Sequence, residues 1–449
     1  MAAFRTFPLL HPPTATLKPC TGDEMEHFGW VCSRCSATFG LADIRYTCGC
    51  CPHGGRLTLA LDYQRLGAGH APGDTVLLDE PSMWRYRRLL PVTESLSTSW
   101  VALPVGWTPL YRADKLGKQL GLAELFIKNE ALNPTGSLKD RASALVVAKA
   151  MELGERTVAT ASSGNAAAAL AGLCAATGLR CLVFVPERTP ASKLAQLAAY
   201  GATVVRVRGD YDTAVELSLA ASAEWGWYCR NTAVNPYTAE GKKTAALEIL
   251  EQLGWKSPDA VLVPVGDGNI LVGLYRGFVD ALAMGWINQL PRLIGVQSDA
   301  AAALYEAWHR GGTEVVPTRA ATVADSISVG NPQDGYRALQ AVRDTNGVLT
   351  TVPESEIVPT ARWFTQQTGV LAEPASAVTV AALPRLLRER HIRRDERMVI
   401  VHTGHGLKTL DVVMAGSPRA RVVEPTLDAL RSFITDHHGG EPAFVPANG

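Results

Sequence analysis

The stretch TVATASSGNAAAALAGLCAATGLRCLVFVPERTPASKLAQLAAYGATVVRVRG, residues 157–209, decides the fold class. Three short apolar runs within it, TVATASS, RCLVFVPE and ATVVRVRG, predict buried strands, and the alanine-rich segments between them predict helices. Strands that alternate with helices indicate an α/β fold whose parallel sheets are covered on both faces. The same pattern returns in DAVLVPVGDGN, residues 259–269, which predicts a strand, a glycine-rich turn and the start of a helix.

Three polar turns follow predicted strands, and ligands of parallel sheets bind at such carboxyl ends. PVGDGN, residues 264–269, can cradle a phosphate, because glycines let backbone N–H groups converge at a helix start. SSGN, residues 162–165, offers hydroxyl and N–H groups to a carboxylate, and the alternative is an ordinary helix cap. HTGHGLK, residues 402–408, holds two histidines without a nearby third ligand, so we expect a structural role for His402 and His405.

Composition excludes several classes of protein. The 449 residues include 43 basic and 43 acidic side chains, and 47% are hydrophobic, which is enough for two or three domain-sized units. The balanced charge gives no footprint for nucleic acid, and no apolar run reaches the length of a membrane span. The amino-terminal residues do not resemble a signal peptide, so we expect a cytoplasmic protein with reduced thiols and no membrane or nucleic-acid partner.

The first ninety residues are rich in cysteine, and four of these cysteines have the spacing of a zinc ribbon. They form C-x2-C, twelve residues and C-x2-C, with the members Cys32, Cys35, Cys48 and Cys51. This spacing predicts structural zinc, because two such turns place four thiolates around one ion. Cys50 and His53 are spare donors, so either could replace one ligand. Disulfides are the alternative, which a reducing compartment disfavours.

One lysine lies in an unusual place in NEALNPTGSLKDRAS, residues 129–143. Ser137 and Asp140 have the spacing of a capping box, which predicts that Lys139 lies in the first turn of a helix. The helix dipole disfavours a cation there, and burial would lower the pKa of the amine further. The neutral amine condenses with aldehydes. The alternative is an ordinary surface lysine.

Taken together, these motifs resemble threonine synthase and its relatives among the fold-type II pyridoxal-phosphate (PLP) enzymes. The resemblance covers nearly the whole chain and is carried by MWRYRRLLPV at Met83, NPYTAEGKKTAALEI at Asn235, DSISVGNP at Asp325, EPASA at Glu373 and TGHGLK at Thr403, besides the motifs above. It implies two open parallel-sheet domains, a PLP cofactor, a small amino-acid substrate and a homodimer. The amino-terminal cysteine module is similar to one that some family members carry.

The resemblance also implies a role for each site residue. Lys139 matches the lysine that bonds to PLP and later acts as the general base. Asn165 matches the contact to the phenolic oxygen of the cofactor, and Thr403 matches the hydroxyl partner of the pyridine nitrogen. The loop around the cofactor phosphate is matched by Gly266, Asp267, Gly268 and Asn269. The substrate carboxylate is expected at Ser162, Ser163 and Gly164.

The chain departs from the family pattern around the substrate phosphate. Thr238, Ala166 and Asp267 stand where threonine synthases have arginine, threonine and an amide. A lost arginine and an added carboxylate both disfavour a second phosphate. These changes predict a threonine synthase-like lyase or synthase that eliminates or replaces a β or γ substituent of a small amino acid other than O-phosphohomoserine, with Thr238 at the substrate. The alternatives are a genuine threonine synthase and a non-catalytic binding protein that retains the fold.

The domain limits follow from these assignments. Residues 1–92 are predicted to form an extension with the four-cysteine module, and residues 93–415 the catalytic core. Within the core, residues 93–144 and 236–415 are predicted to form a large domain and residues 145–235 a small one. Residues 416–449 are predicted to form a tail.

Overall fold

The computed structural model describes residues 27–43, 46–51, 55–93, 103–415 and 422–437. Within these ranges the strands form three sheets, of which two carry the α/β pattern expected from the sequence. His53 lies outside the described residues, and of the predicted tail only residues 422–437 lie within them. No helix within the described ranges is long and apolar enough to span a membrane.

Three of the four strands of the small sheet lie within residues 157–209, and the fourth follows at residues 228–229. Its four strands are all parallel and lie in the order β10, β7, β8, β9. They are β7 (Thr157–Ala161), β8 (Arg180–Pro186), β9 (Thr203–Val207) and β10 (Tyr228–Cys229). Alternate side chains of β8 enter different cores: Val183 and Val185 belong to one cluster and Phe184 to another. This alternation buries both faces of the sheet, as predicted for parallel strands.

The large sheet has six strands in the order β13, β12, β11, β14, β6, β5. They are β5 (Leu110–Arg112), β6 (Glu124–Asn129), β11 (Ala260–Pro264), β12 (Arg292–Ser298), β13 (Val348–Val352) and β14 (Arg397–His402). Five strands are parallel, but the edge strand β5 runs antiparallel to β6. The expectation of parallel sheets was therefore wrong for this edge, because the chain turns back through α1 (Asp114–Leu120) and β6 runs alongside β5 in the opposite direction.

Fourteen helices are described around these sheets. They are α1 (Asp114–Leu120), α2 (Lys139–Glu152), α3 (Asn165–Thr177), α4 (Ala191–Ala199), α5 (Tyr211–Trp225), α6 (Tyr237–Gln252), α7 (Asn269–Ala283), α8 (Ala303–His309), α9 (Gly335–Asp344), α10 (Glu354–Thr368), α11 (Pro374–Ala381), α12 (Leu383–Arg388), α13 (Leu410–Met414) and α14 (Leu427–His437). Helices α6, α7 and α9 share one core with Val261 and Val263 of β11, whereas α10 and α11 share another with Leu262. The large sheet is thus covered on both faces.

A buried ion network fixes the start of α2 against the large sheet. Arg141 Nε donates to Glu130 Oε2 at 2.6 Å, and Arg141 Nη1 donates to Glu248 Oε1 at 2.6 Å. Lys128 Nζ donates to Glu248 Oε2 at 2.7 Å. Each of these fully buried cations therefore has a carboxylate partner, which is the usual condition for burying a charge.

The amino-terminal sheet is antiparallel, in the order β2, β1, β4, β3, and its module contacts both α/β units. Its strands are β1 (Phe28–Cys32), β2 (Thr38–Gly40), β3 (Thr47–Cys48) and β4 (Gly55–Leu61). Tyr46 Oη accepts a hydrogen bond from Cys229 N at 2.8 Å, and Arg56 Nη2 donates to Gln333 Oε1 at 2.7 Å. The module therefore touches the end of β10 and the loop before α9, although its cysteines lie far from both in sequence.

Candidate active site

Lys139 is the first residue of α2, as the sequence predicted, but the predicted capping box does not form. Leu138 occupies the cap position without a side-chain bond, and Ser137 Oγ is buried with no hydrogen-bond partner among the described residues. The Asp140 carboxylate instead accepts from Thr135, from its backbone N–H at 2.7 Å and from its hydroxyl. The Asp140 carboxylate therefore binds Thr135 in the turn before α2, instead of closing a capping box with Ser137.

The Lys139 amine is placed for chemistry rather than for a salt bridge. Nζ makes no hydrogen bond or ion pair with any described residue, and the residue is half-buried. Burial lowers the pKa of Lys139 to about 8, and nearby Arg230 acts in the same direction, while Glu373 and Asp267 oppose the shift. A substantial neutral fraction near neutral pH makes this amine a competent nucleophile and base.

Asn165 begins α3 at the carboxyl end of β7 and faces Glu373 across the site. Its Nδ2 donates to Glu373 Oε2 at 3.0 Å and to Ser326 Oγ at 3.1 Å. Burial raises the pKa of the Glu373 carboxyl, which lies close enough to Lys139 for their charges to interact. Glu373 was quoted only as part of the EPASA motif, so sequence reasoning missed this position; a carboxylate directly before a helix with proline at its first position was the available signal.

Thr403 follows β14 and is joined to the Lys139 turn through the backbone. Its carbonyl accepts from Leu138 N at 2.9 Å, and its hydroxyl lies 3.1 Å from Ser376 Oγ. The next residue, Gly404, has no room for a side chain, because an added Cβ would lie 2.3 Å from Glu373 Oε1. These contacts hold a hydroxyl near Lys139, where the resemblance places the partner of a pyridine nitrogen.

The predicted phosphate loop connects β11 to α7. Gly268 has φ +90°, a conformation that L side chains rarely adopt, and an added Cβ would approach Ala338 Cβ to 2.8 Å. Gly266 is equally confined, since its added Cβ would lie 2.8 Å from Ile327 Cα. The loop brings the first N–H groups of the 15-residue helix α7 into the site, which suits an anion.

Asp267 is the one acidic member of this loop, and its carboxylate turns towards the segment before α9. Oδ1 accepts from Gln333 N at 2.7 Å, while Oδ2 is buried without a partner among the described residues. Burial, followed by the nearby Asp334 charge, raises the pKa of Asp267 to about 7. The carboxyl therefore repels an anion less than a fully ionised aspartate would.

The turn at residues 162–164 leaves open space beside α3. Ser162 Oγ accepts from Gly164 N at 3.2 Å, and the three residues are half-buried. A Cβ added to Gly164 would meet no atom within 4 Å. Tyr211 Oη donates to Ala161 O at 3.4 Å, which adds a hydroxyl near this turn. The arrangement can receive a carboxylate at the end of β7.

Thr238 lies in the first turn of α6, where its hydroxyl donates to Asn235 O at 2.7 Å and its side chain is fully buried. Two buried cations nearby were not assigned a role from the sequence. Lys242, one turn further along α6, donates from Nζ to Asn269 Oδ1. Arg230 follows β10 and donates from Nε to Ser143 Oγ at 3.1 Å and from Nη1 to Thr232 Oγ1 at 2.7 Å.

The four cysteines of the amino-terminal module converge as their spacing predicted. The Sγ atoms of Cys32, Cys35, Cys48 and Cys51 all lie within 4.8 Å of one another. Cys50 is exposed and outside this group. Four thiol ligands at such distances fit a tetrahedral metal ion. Within the described ranges it is the one group of three or more potential metal ligands that lie close together. His402 and His405 belong to no such group among the described residues.

The residues around Lys139 fit PLP on structural grounds. An amine without a partner among the described residues, a hydroxyl at Thr403, an amide at Asn165 and a glycine loop at a helix start lie around the same site. These are the groups that an aldehyde, a pyridine ring and a phosphate require. The one poor match is Asp267, whose raised pKa and turned carboxylate reduce the conflict.

Comparison with known proteins gives the class. The family described as "Pyridoxal-phosphate dependent enzyme" matches residues 101–404. The chain belongs to this family and is a PLP-dependent enzyme of the lyase or replacement kind. More particularly, it is similar to proteins named threonine synthase. The one from Methanocaldococcus jannaschii is 37% identical over 407 residues, which cover 90% of this chain and 99% of the relative. The one from Methanosarcina acetivorans is 35% identical over an alignment that covers 90% of this chain and 98% of the relative.

Solved structures support the fold-type II architecture. A threonine deaminase from T.th. has a TM-score of 0.57 at 28% identity, covering 70% of this chain and 94% of that chain. The processed form of threonine deaminase isoform 2 from Solanum lycopersicum has a TM-score of 0.59 at 24% identity, and the match covers 69% of this chain and 83% of that chain. The second of these similarities shows the fold alone, whereas the first and the threonine synthase relatives are in keeping with a role in amino-acid metabolism.

Proposed function

We propose that this protein is a threonine synthase, which converts O-phosphohomoserine and water into threonine and inorganic phosphate. The names of its relatives support this alternative better than the substrate predicted from Thr238, Ala166 and Asp267. The non-catalytic alternative finds no support, because the chain belongs to an enzyme family.

One structural observation carries the proposal: three basic side chains lie at the site without a carboxylate partner. Arg230 and Lys242 are fully buried and Lys139 is half-buried, and none forms an ion pair with a carboxylate among the described residues. Burial disfavours the charged forms of the two lysines, as their lowered pKa values show, and a bound phosphate would favour those forms again. Phosphate groups of bound ligands would supply the missing negative charge, and a phosphorylated substrate brings a second one.

The same basic residues account for the prediction of an unphosphorylated substrate from Thr238. In the family pattern a cation lies at the position of Thr238, whereas here the basic groups lie at other positions. Residues i and i+4 of a helix share a face, so Lys242 places an amine one turn beyond Thr238 on α6, and a bound phosphate would favour its protonated form. Arg230 adds a second basic group from the end of β10. The phosphate contact is therefore displaced in this proposal rather than lost.

The chain's own residues have separate roles in the proposed reaction. The turn at residues 162–164 binds the substrate carboxylate, and the loop at residues 266–269 binds the cofactor phosphate. Asn165 and Thr403 orient the cofactor ring, and PLP, when bound, supplies an electron sink for charge at the substrate Cα. Because Thr403 offers a hydroxyl rather than a carboxylate, it does not force a proton onto the pyridine nitrogen.

The Lys139 amine moves protons, and its lowered pKa suits that work at neutral pH. It removes the Cα proton and then a Cβ proton. The electron pair left at Cβ forms a double bond to Cγ as the bond between Cγ and the phosphate-ester oxygen breaks, and phosphate leaves with the electron pair of that bond. Cγ then gains a proton and becomes the methyl group, water adds hydroxyl to Cβ, and a proton returns to Cα, so the products together contain the atoms of substrate plus one water.

Three further features belong to the same proposal. The four-cysteine cluster holds one structural zinc ion, the enzyme forms a homodimer, and it acts in the cytoplasm. The convergence of four Sγ atoms within 4.8 Å supports the first. The other two rest on the family resemblance and on the reduced thiols expected from the sequence.

The proposal is tested by steady-state turnover of a substrate panel. O-Phosphohomoserine should be processed with a specificity constant at least about a hundredfold above those of O-acetylserine, serine, threonine and diaminopropionate, because only a phosphorylated substrate adds a second phosphate to that of the cofactor. O-Phosphoserine carries its phosphate on Cβ, so it should also be a poorer substrate, since the proposed reaction breaks a bond at Cγ. Lys139→Ala should abolish turnover, whereas Lys193→Ala, at a partly exposed lysine paired with Asp325, should not. Preference for any other member of the panel, O-phosphoserine included, would contradict the proposal.

A further inference from the structure

Two neighbouring lysines of α6 differ sharply in their surroundings. Lys243 Nζ lies 2.8 Å from Asp280 Oδ2 and 3.0 Å from Glu240 Oε2, so its charge is compensated. Lys242 is equally buried, but its Nζ contacts only the neutral side chain of Asn269 among the described residues. Burial lowers the pKa of Lys242 well below its usual value, and repulsion from Lys139 and Arg230 adds to the shift.

Arg230 approaches the same place from the small sheet. Its backbone N–H donates to Ala159 O at 2.8 Å, which anchors it beside β7. The guanidinium is fully buried and is held by the Ser143 and Thr232 hydroxyls, yet Nη2 has no partner among the described residues. A buried donor left without an acceptor is costly, and a guanidinium normally pairs with a carboxylate or phosphate. This Nη2 is therefore a buried donor whose hydrogen bond an anionic ligand would supply.

We propose that Arg230 and Lys242 together bind the phosphate of the substrate, in place of the arginine that the family carries at the position of Thr238. This inference rests on the proposed function. The backbone of residues 266–269 is left for the cofactor phosphate, because its N–H groups begin α7 and need no cation. One cation follows a strand of the small sheet and the other lies on a helix of the large unit, so the substrate phosphate lies between β10 and α6. Arg230 determines specificity for a dianionic leaving group.

The test compares Arg230→Gln, Arg230→Lys and Lys242→Gln with the exposed control Arg208→Gln, whose side chain is 93% exposed just after β9. Inorganic phosphate is titrated calorimetrically into the PLP-loaded enzyme, against sodium chloride at equal ionic strength. We expect Arg230→Gln to weaken phosphate binding and to raise the KM for O-phosphohomoserine by about tenfold to a hundredfold. Arg230→Lys should recover part of this loss, and bound cofactor and its absorbance should stay unchanged.

Several outcomes would overturn the inference. Loss of PLP from Arg230→Gln or Lys242→Gln with unchanged phosphate affinity would assign these cations to the cofactor. If both variants turn over O-phosphohomoserine as the wild type does, Arg230 and Lys242 do not bind the substrate phosphate, but the proposed function still stands. Conversely, the wild type could bind phosphate through Arg230 and yet fail to process O-phosphohomoserine. That result would support a phosphate site at Arg230 and Lys242 and would refute the proposed function. If Arg230→Gln fails to fold, Arg230→Lys and Lys242→Gln decide the question.

Discussion

The backbone N–H of Gln333 donates to Asp267 Oδ1 at 2.7 Å, which turns the acidic side chain of the phosphate loop towards the segment before α9. The same residue, Gln333, accepts from Arg56 of the amino-terminal sheet through its Oε1. The loop predicted to receive the cofactor phosphate is therefore braced from outside by the amino-terminal module. This relationship leads to two predictions.

Replacing Asp267 with asparagine should stabilise the cofactor-free protein above neutral pH. In the unfolded chain the carboxyl ionises near its ordinary pKa of 3.8, whereas the folded-state pKa is raised to about 7. The folded state therefore binds the extra proton between these values, so the free energy of unfolding of the wild type falls as pH rises from about 4 to about 7. Asp267→Asn keeps an acceptor for Gln333 N and should gain about 1–3 kcal/mol at pH 8. Urea unfolding at pH 5 and pH 8 measures this, and an equal effect at both values would contradict it.

Removing metal from the cysteine module should damage both stability and cofactor retention. We expect about one zinc ion per chain, and we expect Cys35→Ser to lose it and to cost on the order of 3 kcal/mol or more. Cofactor retention should fall as well, because Arg56 contacts Gln333 beside the phosphate loop. Cys50→Ser is the matched control, since Cys50 is exposed and outside the cluster. Protein purified without chelator that contains no metal would refute the prediction.

The lowered pKa of Lys139 predicts how cofactor loading depends on pH. Only the neutral amine attacks the aldehyde of PLP, so the rate of reconstitution should rise with pH and level off just above about 8. A lysine with the ordinary pKa of 10.5 would give a rate that continues to rise beyond pH 9. Stopped-flow absorbance of the cofactor-free protein measures the profile. Borohydride reduction and peptide mapping should then locate PLP on Lys139, and its recovery on another lysine would refute the assignment.

The fold was predictable from local patterns, but the arrangement of strands was not. Runs such as TVATASS and DAVLVPVGDGN are found as β7 and β11, and the helices between them follow the predicted segments. Nothing local places β14 between β11 and β6, because that order depends on contacts between residues far apart in sequence. The capping box failed for a related reason, since Thr135 competes for the Asp140 carboxylate.

The site was predictable where the motifs themselves carry the chemistry. Lys139, Asn165, the 266–269 loop and Thr403 lie around one site, although their roles there remain predictions. Arg230, Lys242 and Glu373 stood in quoted or neighbouring stretches without an assigned role, because charge compensation is visible only in three dimensions. The signal available for Lys242 was a pair of lysines inside GKKTAALEI, a segment whose apolar residues predict burial.

The central claim is γ-elimination of phosphate followed by addition of water, and oxygen labelling tests it most directly. O-Phosphohomoserine is incubated with the enzyme in water enriched in heavy oxygen, and both products are analysed by mass spectrometry. Because the bond between Cγ and oxygen breaks, the account predicts one labelled oxygen in the threonine hydroxyl and none in the released phosphate. Labelled phosphate released together with homoserine would show hydrolysis at phosphorus and would contradict the account, as would the absence of any threonine.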